Sequence, residues 1–153
     1  MPFTATSVAQ ADYGLQDFAY ELNREAAAAA RRAADRATQD DPSRPRFVGG
    51  SIGPLNKTLS LSPDVNDPSF REVDFDQVTK AYAEQVRGLV DGGADLLVIE
   101  TVCDTLNAKA AIYACHQVFE ETGFDLPLII SVAVVDASGR NISGQGVEAF
   151  WVS

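Results

Sequence analysis

Apolar positions along the chain follow two patterns that alternate. Apolar residues recur with helical spacing in three segments, from Leu15 to about Thr38, from about Asp74 to Gly92 and from Asp104 or Thr105 to Glu121. Each segment is followed by a short, continuous apolar run, at Phe47–Val48, Leu96–Ile99 and Leu128–Val135. Such runs are typical of strands covered on both faces. A further helix begins in GVEAFWVS, so the pattern predicts an α/β fold with about three parallel strands and right-handed crossovers.

The helical spacing also predicts which side chains are buried. The expected positions are Val78, Tyr82, Val86, Leu89 and Val90 in the second helix, and Leu106, Ala110, Ala114 and Val118 in the third; the repeat that predicts the first helix consists of Leu15, Phe18, Ala19, Leu22, Ala26 and Ala33. Asp74 and Gln77 form a capping-box pattern at the start of the second helix, and Asp104 has the position of an N-cap. Gly92 and Gly93 are expected to end the second helix.

Glu100 follows directly after the apolar run Leu96–Ile99. Ligands of parallel α/β folds gather at the carboxyl ends of the strands. A carboxylate at that end is suited to accept hydrogen bonds from a substrate ammonium group, and such charge-assisted bonds are strong in a dry pocket. The alternative is structural: Glu100 caps the next helix or pairs with a nearby lysine.

The short strand that opens at Phe47–Val48 is predicted to end in the small residues Gly49, Gly50 and Ser51, which belong to the segment GGSIGP. Glycines allow close backbone approach, and their N–H groups are able to hold a carboxylate or a phosphate. A plain tight turn is equally compatible with the segment, which contains neither a Walker nor a dinucleotide-binding pattern. The segment SGQG, from Ser143 to Gly146, is a weaker case of the same kind.

The stretch from Ile52 to Val73 has no periodicity and is predicted to be a long, functional loop. Asp64, Asn66 and Asp67 lie in it. Their spacing does not fit an EF-hand, and we interpret them as a capping turn rather than a calcium site.

The two cysteines and the one histidine do not form a metal-binding or catalytic pattern. Cys103 follows the same strand as Glu100, but no histidine base lies near it in sequence, which favours a small apolar filler over a nucleophile. Cys115 and His116 are neighbours in the middle of a helix, where their side chains diverge by roughly 100°. His116 is expected at the surface or at the boundary of the core.

Composition narrows the class of partner. The formal net charge of −10 argues against a nucleic-acid groove and an anionic membrane surface. No apolar run reaches the length of a membrane span, and MPFTATSVAQ lacks the pattern of a secretory signal, so a cytoplasmic location is the expectation. A sheet of three strands with apolar edges is thin for an independent domain, which indicates a piece of something larger.

Five segments together resemble the homocysteine-binding barrel of cobalamin-dependent methionine synthase. They are ATSVAQADYG, FVGGSIGPLNKTLSLSPDVNDP, DGGADLLVIET, DTLNAKAA and DASGRNISGQ, and they span nearly the whole chain in the order of that family. The SPDVNDP loop favours methionine synthase over relatives that use betaine or S-methylmethionine.

The resemblance implies a (β/α)8 barrel of which residues 1–153 are a fragment, with about the third to fifth strands and their helices. It implies homocysteine as substrate, with Glu100 on its amino group and Gly50 and Ser51 near the same pocket. In the complete enzyme zinc binds the homocysteine thiolate and the methyl group comes from methylcobalamin, ultimately from methyltetrahydrofolate. The remaining barrel segments and the cobalamin and folate domains are then its partners.

The sequence departs from the family where zinc binds. The three zinc cysteines belong to a G-x-N-C and a G-G-C-C segment, which are absent here, as is the first strand with its substrate-contacting aspartate. Cys103 and Cys115 do not align with those ligands. We therefore expect neither zinc nor cobalamin to bind this fragment, and no methyl transfer by it alone. The alternatives are a truncated non-catalytic chain that binds a ligand or packs against a partner, and another homocysteine S-methyltransferase of the same family.

Overall fold

The computed structural model describes residues 3–135 and 137–153, and five helices and three strands form there. In chain order these are α1 (Ser7–Gln10), α2 (Ala19–Asp40), β1 (Gly49–Ile52), α3 (Phe75–Asp91), β2 (Leu96–Val102), α4 (Thr105–Thr122), β3 (Leu128–Val132) and α5 (Val147–Val152). Two short 3-10 helices, Ala11–Tyr13 and Gln16–Phe18, connect α1 to α2. Asp136, the first residue of the turn expected after β3, lies outside the described residues.

The three strands form one parallel sheet in the order β1-β2-β3. Ser51 pairs with Val98, and Ile99 lies between Ile52 and Ile130 in the register. Consecutive parallel strands joined by helices are the repeating unit of a (β/α)8 barrel. The prediction of an α/β fold with three parallel strands is confirmed, and the open sheet is consistent with part of such a barrel.

The two faces of the sheet differ in burial. Gly50, Ile52, Leu97 and Ile99 are buried beneath α3 and α4, where the core of the chain lies. The side chains of the opposite face remain half-buried or exposed, among them Ser51, Val98, Glu100 and Ile129. This second group defines what we call the open face of the sheet. Parallel sheets are normally covered on both faces.

Local capping signals determine where the helices begin and end. The Asp74 carboxylate accepts a hydrogen bond from the Gln77 amide at 2.8 Å, and the Gln77 side chain accepts one from the Asp74 amide at 3.0 Å. Asp104 is the N-cap of α4, as predicted. Gly93, with a φ of +92°, follows the end of α3. These predictions are confirmed.

The long helix predicted from Leu15 to about Thr38 is present as α2, but of the apolar repeat that predicted it only Ala19 is buried. The side chains that the helix buries are Ala19, Asn23, Ala27 and Ala34, whereas Leu15, Phe18 and Leu22 are 40–53% exposed. The face that α2 buries lies one position further along the helix than the apolar repeat. On this face α2 packs closely on α3 through small residues. A Cβ on Gly88 would lie 2.5 Å from the Tyr20 carbonyl oxygen, and one on Gly92 would lie 2.4 Å from that of Arg24.

Three further boundaries differ from the prediction. The first strand is Gly49–Ile52, so it begins two residues after the predicted start at Phe47 and ends one residue beyond Ser51. The second extends through Glu100 to Val102, and the third ends at Val132.

Leu106, expected in the core, is 38% exposed, whereas the other predicted core positions of α3 and α4 are buried. Among residues 3–135 and 137–153, no helix combines the length and the apolar composition of a membrane span.

Candidate functional site

Ser51 and Glu100 lie together at the carboxyl ends of β1 and β2. The Ser51 hydroxyl donates a hydrogen bond of 2.5 Å to Glu100 Oε1. Ser51 is level with Val98 in the parallel register, and Glu100 lies two residues further along the same side of β2. Both side chains are half-buried on the open face. The structure thus brings together two of the three residues that the sequence predicted as a site.

Gly50, the third predicted residue, faces the other way. A Cβ on it would lie 2.8 Å from Leu97 Cδ2 and 3.2 Å from Leu89 Cδ1, which are core side chains beneath the helices. Close packing between the sheet and α3 therefore explains the glycine. The contact between the Gly50 backbone and substrate stays a prediction.

The backbone of β2 is strained directly after Glu100. The pairing with β3 shifts register between Ile99 and Val102, and Thr101 in this bulge has a φ of +57°. A positive φ is a genuine outlier for a β-branched residue and costs about 1–3 kcal/mol. The bulge allows Glu100 to remain on the open face while Val102 returns to the core. Strain of this kind concentrates at functional sites.

A cavity of about 30 Å³ lies beside Glu100, between the sheet and the helices. Thr58 and Leu55 line it from the loop after β1, and Asp104 and Asn107 line it from α4. The volume is enough for about one water molecule but not for an amino acid. A substrate on Glu100 would therefore lie on the open face rather than in this cavity.

The loop after β1, residues 53–74, is fastened at its base and closed on itself at its tip. The Arg71 guanidinium donates hydrogen bonds to the carbonyl oxygens of Leu59 at 2.7 Å and Ser60 at 3.1 Å. At the tip the Ser62 hydroxyl bonds to the Asp67 carbonyl at 2.6 Å, and the Asp64 carboxylate accepts from the Asn66 amide at 2.8 Å. This geometry agrees with a capping turn.

The loop after β3 is ordered against the start of α4. Gln145 accepts a hydrogen bond from the Thr105 hydroxyl, and its amide donates to the buried Asn141 side chain at 2.9 Å. The segment SGQG therefore turns back toward the same end of the sheet as Ser51 and Glu100. No hydrogen bond joins it to those two residues within the described part of the chain.

The residues in place do not fit a zinc ion. Within residues 3–135 and 137–153, no group of three or more His, Cys, Asp or Glu side chains is arranged to hold a metal. Burial raises the pKa of the Cys115 thiol to about 12, so it stays protonated at neutral pH. Cys103 is half-buried with its thiol donating to the Thr101 carbonyl at 3.2 Å, and His116 is exposed, as expected.

A parallel sheet with helices on one face and an acidic side chain at a strand end is consistent with part of a (β/α) barrel, a fold whose sites lie at the carboxyl ends of its strands. Comparison with protein families identifies which one. Residues 2–153 match the family model of homocysteine S-methyltransferase, and the chain belongs to this family. The resemblance noted in the sequence is thereby confirmed at the level of the family.

Proposed function

We propose that this chain forms part of the homocysteine-binding barrel of a cobalamin-dependent methionine synthase, and that Glu100 binds the amino group of homocysteine. The observation that carries the proposal is the hydrogen bond of 2.5 Å from Ser51 to Glu100 on the open face. It supports a ligand role because the carboxylate lies where (β/α)-barrel enzymes bind their substrates.

The structural alternatives for Glu100 are weakened by what other residues do. Asp104, not Glu100, caps α4. No lysine or arginine among the described residues forms an ion pair with Glu100, and no described residue donates a hydrogen bond to Glu100 Oε2. That second oxygen therefore has the capacity to accept from an ammonium group while Ser51 holds the first.

In this proposal the two side chains bind and orient. The Ser51 hydroxyl fixes the rotation of the Glu100 carboxylate, and the carboxylate compensates the positive charge of the substrate amino group with a charge-assisted hydrogen bond. Because the residues in place do not fit zinc, activation of the thiol and supply of the methyl group are assigned to other segments of the enzyme. The chain alone is expected to have no methyl-transfer activity.

The open face supports the view that the chain is one part of a larger barrel. Val98 and Ile129 are apolar, yet Val98 is only half-buried and Ile129 is 50% exposed. In the described part of the chain, β1 and β3 each have one edge without a strand partner. Further strands of a closed barrel would pair these edges and cover this face.

The proposal is tested by homocysteine binding to the enzyme that contains this chain. Replacing Glu100 by glutamine keeps the shape and removes the charge, and we expect a loss of about 1.5–3 kcal/mol, roughly 10- to 150-fold in Kd. Glu120 is an exposed carboxylate of α4, and Glu120→Gln is the matched control. This variant should bind homocysteine as the parent does. Unchanged affinity in Glu100→Gln would remove Glu100 from the site.

A second test separates this proposal from a non-catalytic truncated chain. The DNA that flanks the coding region should continue in frame into the G-x-N-C and G-G-C-C segments. Calorimetry with zinc on the 153-residue chain should then show no tight one-to-one site. A stop codon directly after Ser153 would favour the non-catalytic alternative, and a stoichiometric zinc site would contradict the assignment of metal binding to other segments.

A further inference from the structure

The N-cap residue of α4 does more than cap the helix. Asp104 Oδ1 accepts hydrogen bonds from the amides of Leu106 at 2.8 Å and Asn107 at 3.2 Å, which are the capping bonds. The same carboxylate also accepts two bonds from Ser60 in the long loop. The Ser60 hydroxyl donates to Oδ1 and the Ser60 amide donates to Oδ2, both at 2.8 Å. Asp104 is 3% exposed.

Asn107, one turn further along α4, holds the preceding residues of the loop. Its side-chain oxygen accepts a hydrogen bond from the Leu59 amide at 3.0 Å, and its NH2 group donates to the Lys57 carbonyl at 2.8 Å. Asn107 is 6% exposed. Together the two side chains satisfy three backbone groups of residues 57–60, which would otherwise lose their partners at a cost of about 1–3 kcal/mol each.

Capping alone does not explain this residue choice. Asp74 caps α3 with the same bond to the amide three residues on, but it is exposed and touches no distant loop. Asparagine and serine cap as well as aspartate does. Burying a carboxylate is costly unless hydrogen bonds compensate its charge. The two bonds from Ser60, which use both oxygens, supply a reason for a buried carboxylate at position 104.

The tie lies directly against the candidate site. Asp104 and Asn107 line the same cavity of about 30 Å³ as Glu100, and Thr58 lines it from the segment that they hold. We infer that Asp104 and Asn107 are positioning residues, which hold residues 57–60 against the end of β2 on the helix side of the sheet and thereby fix the strand end from which Glu100 reaches the homocysteine pocket on the open face. This inference rests on the proposed function of that pocket.

The experiment compares Asp104→Asn with Asp74→Asn. In Asp104→Asn one oxygen remains to cap α4, but an NH2 group replaces the acceptor of the Ser60 amide. We expect hydrogen exchange of the Ser60 amide, measured in the enzyme that contains the chain, to accelerate about tenfold or more, with the Leu106 and Asn107 amides unchanged. In the enzyme that contains the chain, KM for homocysteine should rise about tenfold at similar kcat. Asp74→Asn should change neither quantity.

Ser60→Ala is a milder second variant that removes only the hydroxyl donor, and it should raise KM a few-fold in a folded protein. A merely structural role would reduce the fraction of folded enzyme, and so the apparent kcat, without raising KM. Faster exchange of the Ser60 amide in Asp104→Asn, with unchanged KM in both variants, would overturn the positioning role, and unchanged exchange in Asp104→Asn would overturn the tie itself. If Glu100→Gln leaves homocysteine affinity unaltered, the proposed function fails instead, and the exchange data still report on the tie.

Discussion

Replacing Gly88 by alanine measures how closely α3 packs on α2. The added Cβ would lie 2.5 Å from the Tyr20 carbonyl oxygen, 3.0 Å from Asn23 Cβ and 3.2 Å from the Arg24 amide nitrogen. Two of these three atoms belong to the backbone of α2, so no side-chain rotation relieves the contact. Overpacking of this kind costs about 1–3 kcal/mol. Steric cost and helix propensity therefore act in opposite directions at this position.

Propensity alone would make the substitution stabilising, because alanine is better than glycine inside a helix by about 1 kcal/mol. Displacement of α2 also disturbs Asn23, whose side chain bonds to the Ala5 and Ala19 carbonyls at 2.8 and 2.7 Å and accepts from Gln85 at 3.3 Å. We therefore expect a net loss of about 1–2 kcal/mol in the free energy of unfolding. Urea denaturation with an unchanged m-value measures it.

Gly146→Ala is the control for this experiment. Gly146 has an ordinary φ of −75°, and a Cβ there would meet no atom within 4 Å. Its free energy of unfolding should stay within about 0.5 kcal/mol of the parent. If Gly88→Ala proved as stable as the parent or more stable, the close contact between the two helices would be refuted.

Three further predictions concern the site and its surroundings. Thr101→Asn should raise the free energy of unfolding by about 1 kcal/mol, because asparagine tolerates a positive φ; a loss in urea denaturation would contradict the strain. A thiol reagent near pH 8 should modify Cys103 in the native chain and Cys115 only after unfolding, since burial raises the pKa of Cys115 to about 12; two fast thiols would argue against this burial. Hydrogen bonds from Arg87 lower the pKa of Glu121 below its usual 4.5. The pair therefore stabilises the folded state above pH 4.5, and this stabilisation is lost as the pH falls through the lowered pKa. Glu121→Gln should thus lower Tm near pH 7 but not near pH 3, and an equal difference at both would refute the pairing.

The helix ends were predictable because their signals are local. Asp74 with Gln77, and Asp104 before α4, bond to amides two or three residues away, and a sequence displays such spacing directly. The apolar face of α2 was not predictable in the same way. The five alanines from Ala26 to Ala30 give the helix no distinct face, and the burial of Asn23 depends on the carbonyls of Ala5 and Ala19, which accept hydrogen bonds from its side-chain amide.

The strand bounds failed for a tertiary reason. Phe47 was predicted to open the first strand but is 69% exposed and lies outside it, because pairing with β2 begins only at Gly49; at Gly50 a side chain would not fit against Leu89 and Leu97. β2 continues through Glu100 because its open face accommodates a charged side chain.

The position of Glu100 after an apolar run was enough to predict it as a site residue, but its partner required the register of two strands. Ser51 and Glu100 are 49 residues apart in sequence, and only parallel pairing brings them together. The tie of residues 57–60 was missed altogether. Asp104 could be recognised as a cap, but nothing in the spacing indicates that its second oxygen serves a loop 44 residues earlier. The one signal in the sequence was a second polar residue, Asn107, three positions after Asp104; its burial became visible only in the structure.

The anchoring of the long loop has a consequence for how this chain tolerates changes in length. Lys57 to Ser60 and Arg71 fasten the base, whereas the bond between Ser62 and Asp67 closes the tip as a small self-contained ring. Residues inserted next to Val65, which is 94% exposed, would enlarge this ring without displacing the anchored residues at the base of the loop. A reporter peptide or a fluorophore placed there should leave the position of Glu100, the carboxylate at the end of β2, unchanged.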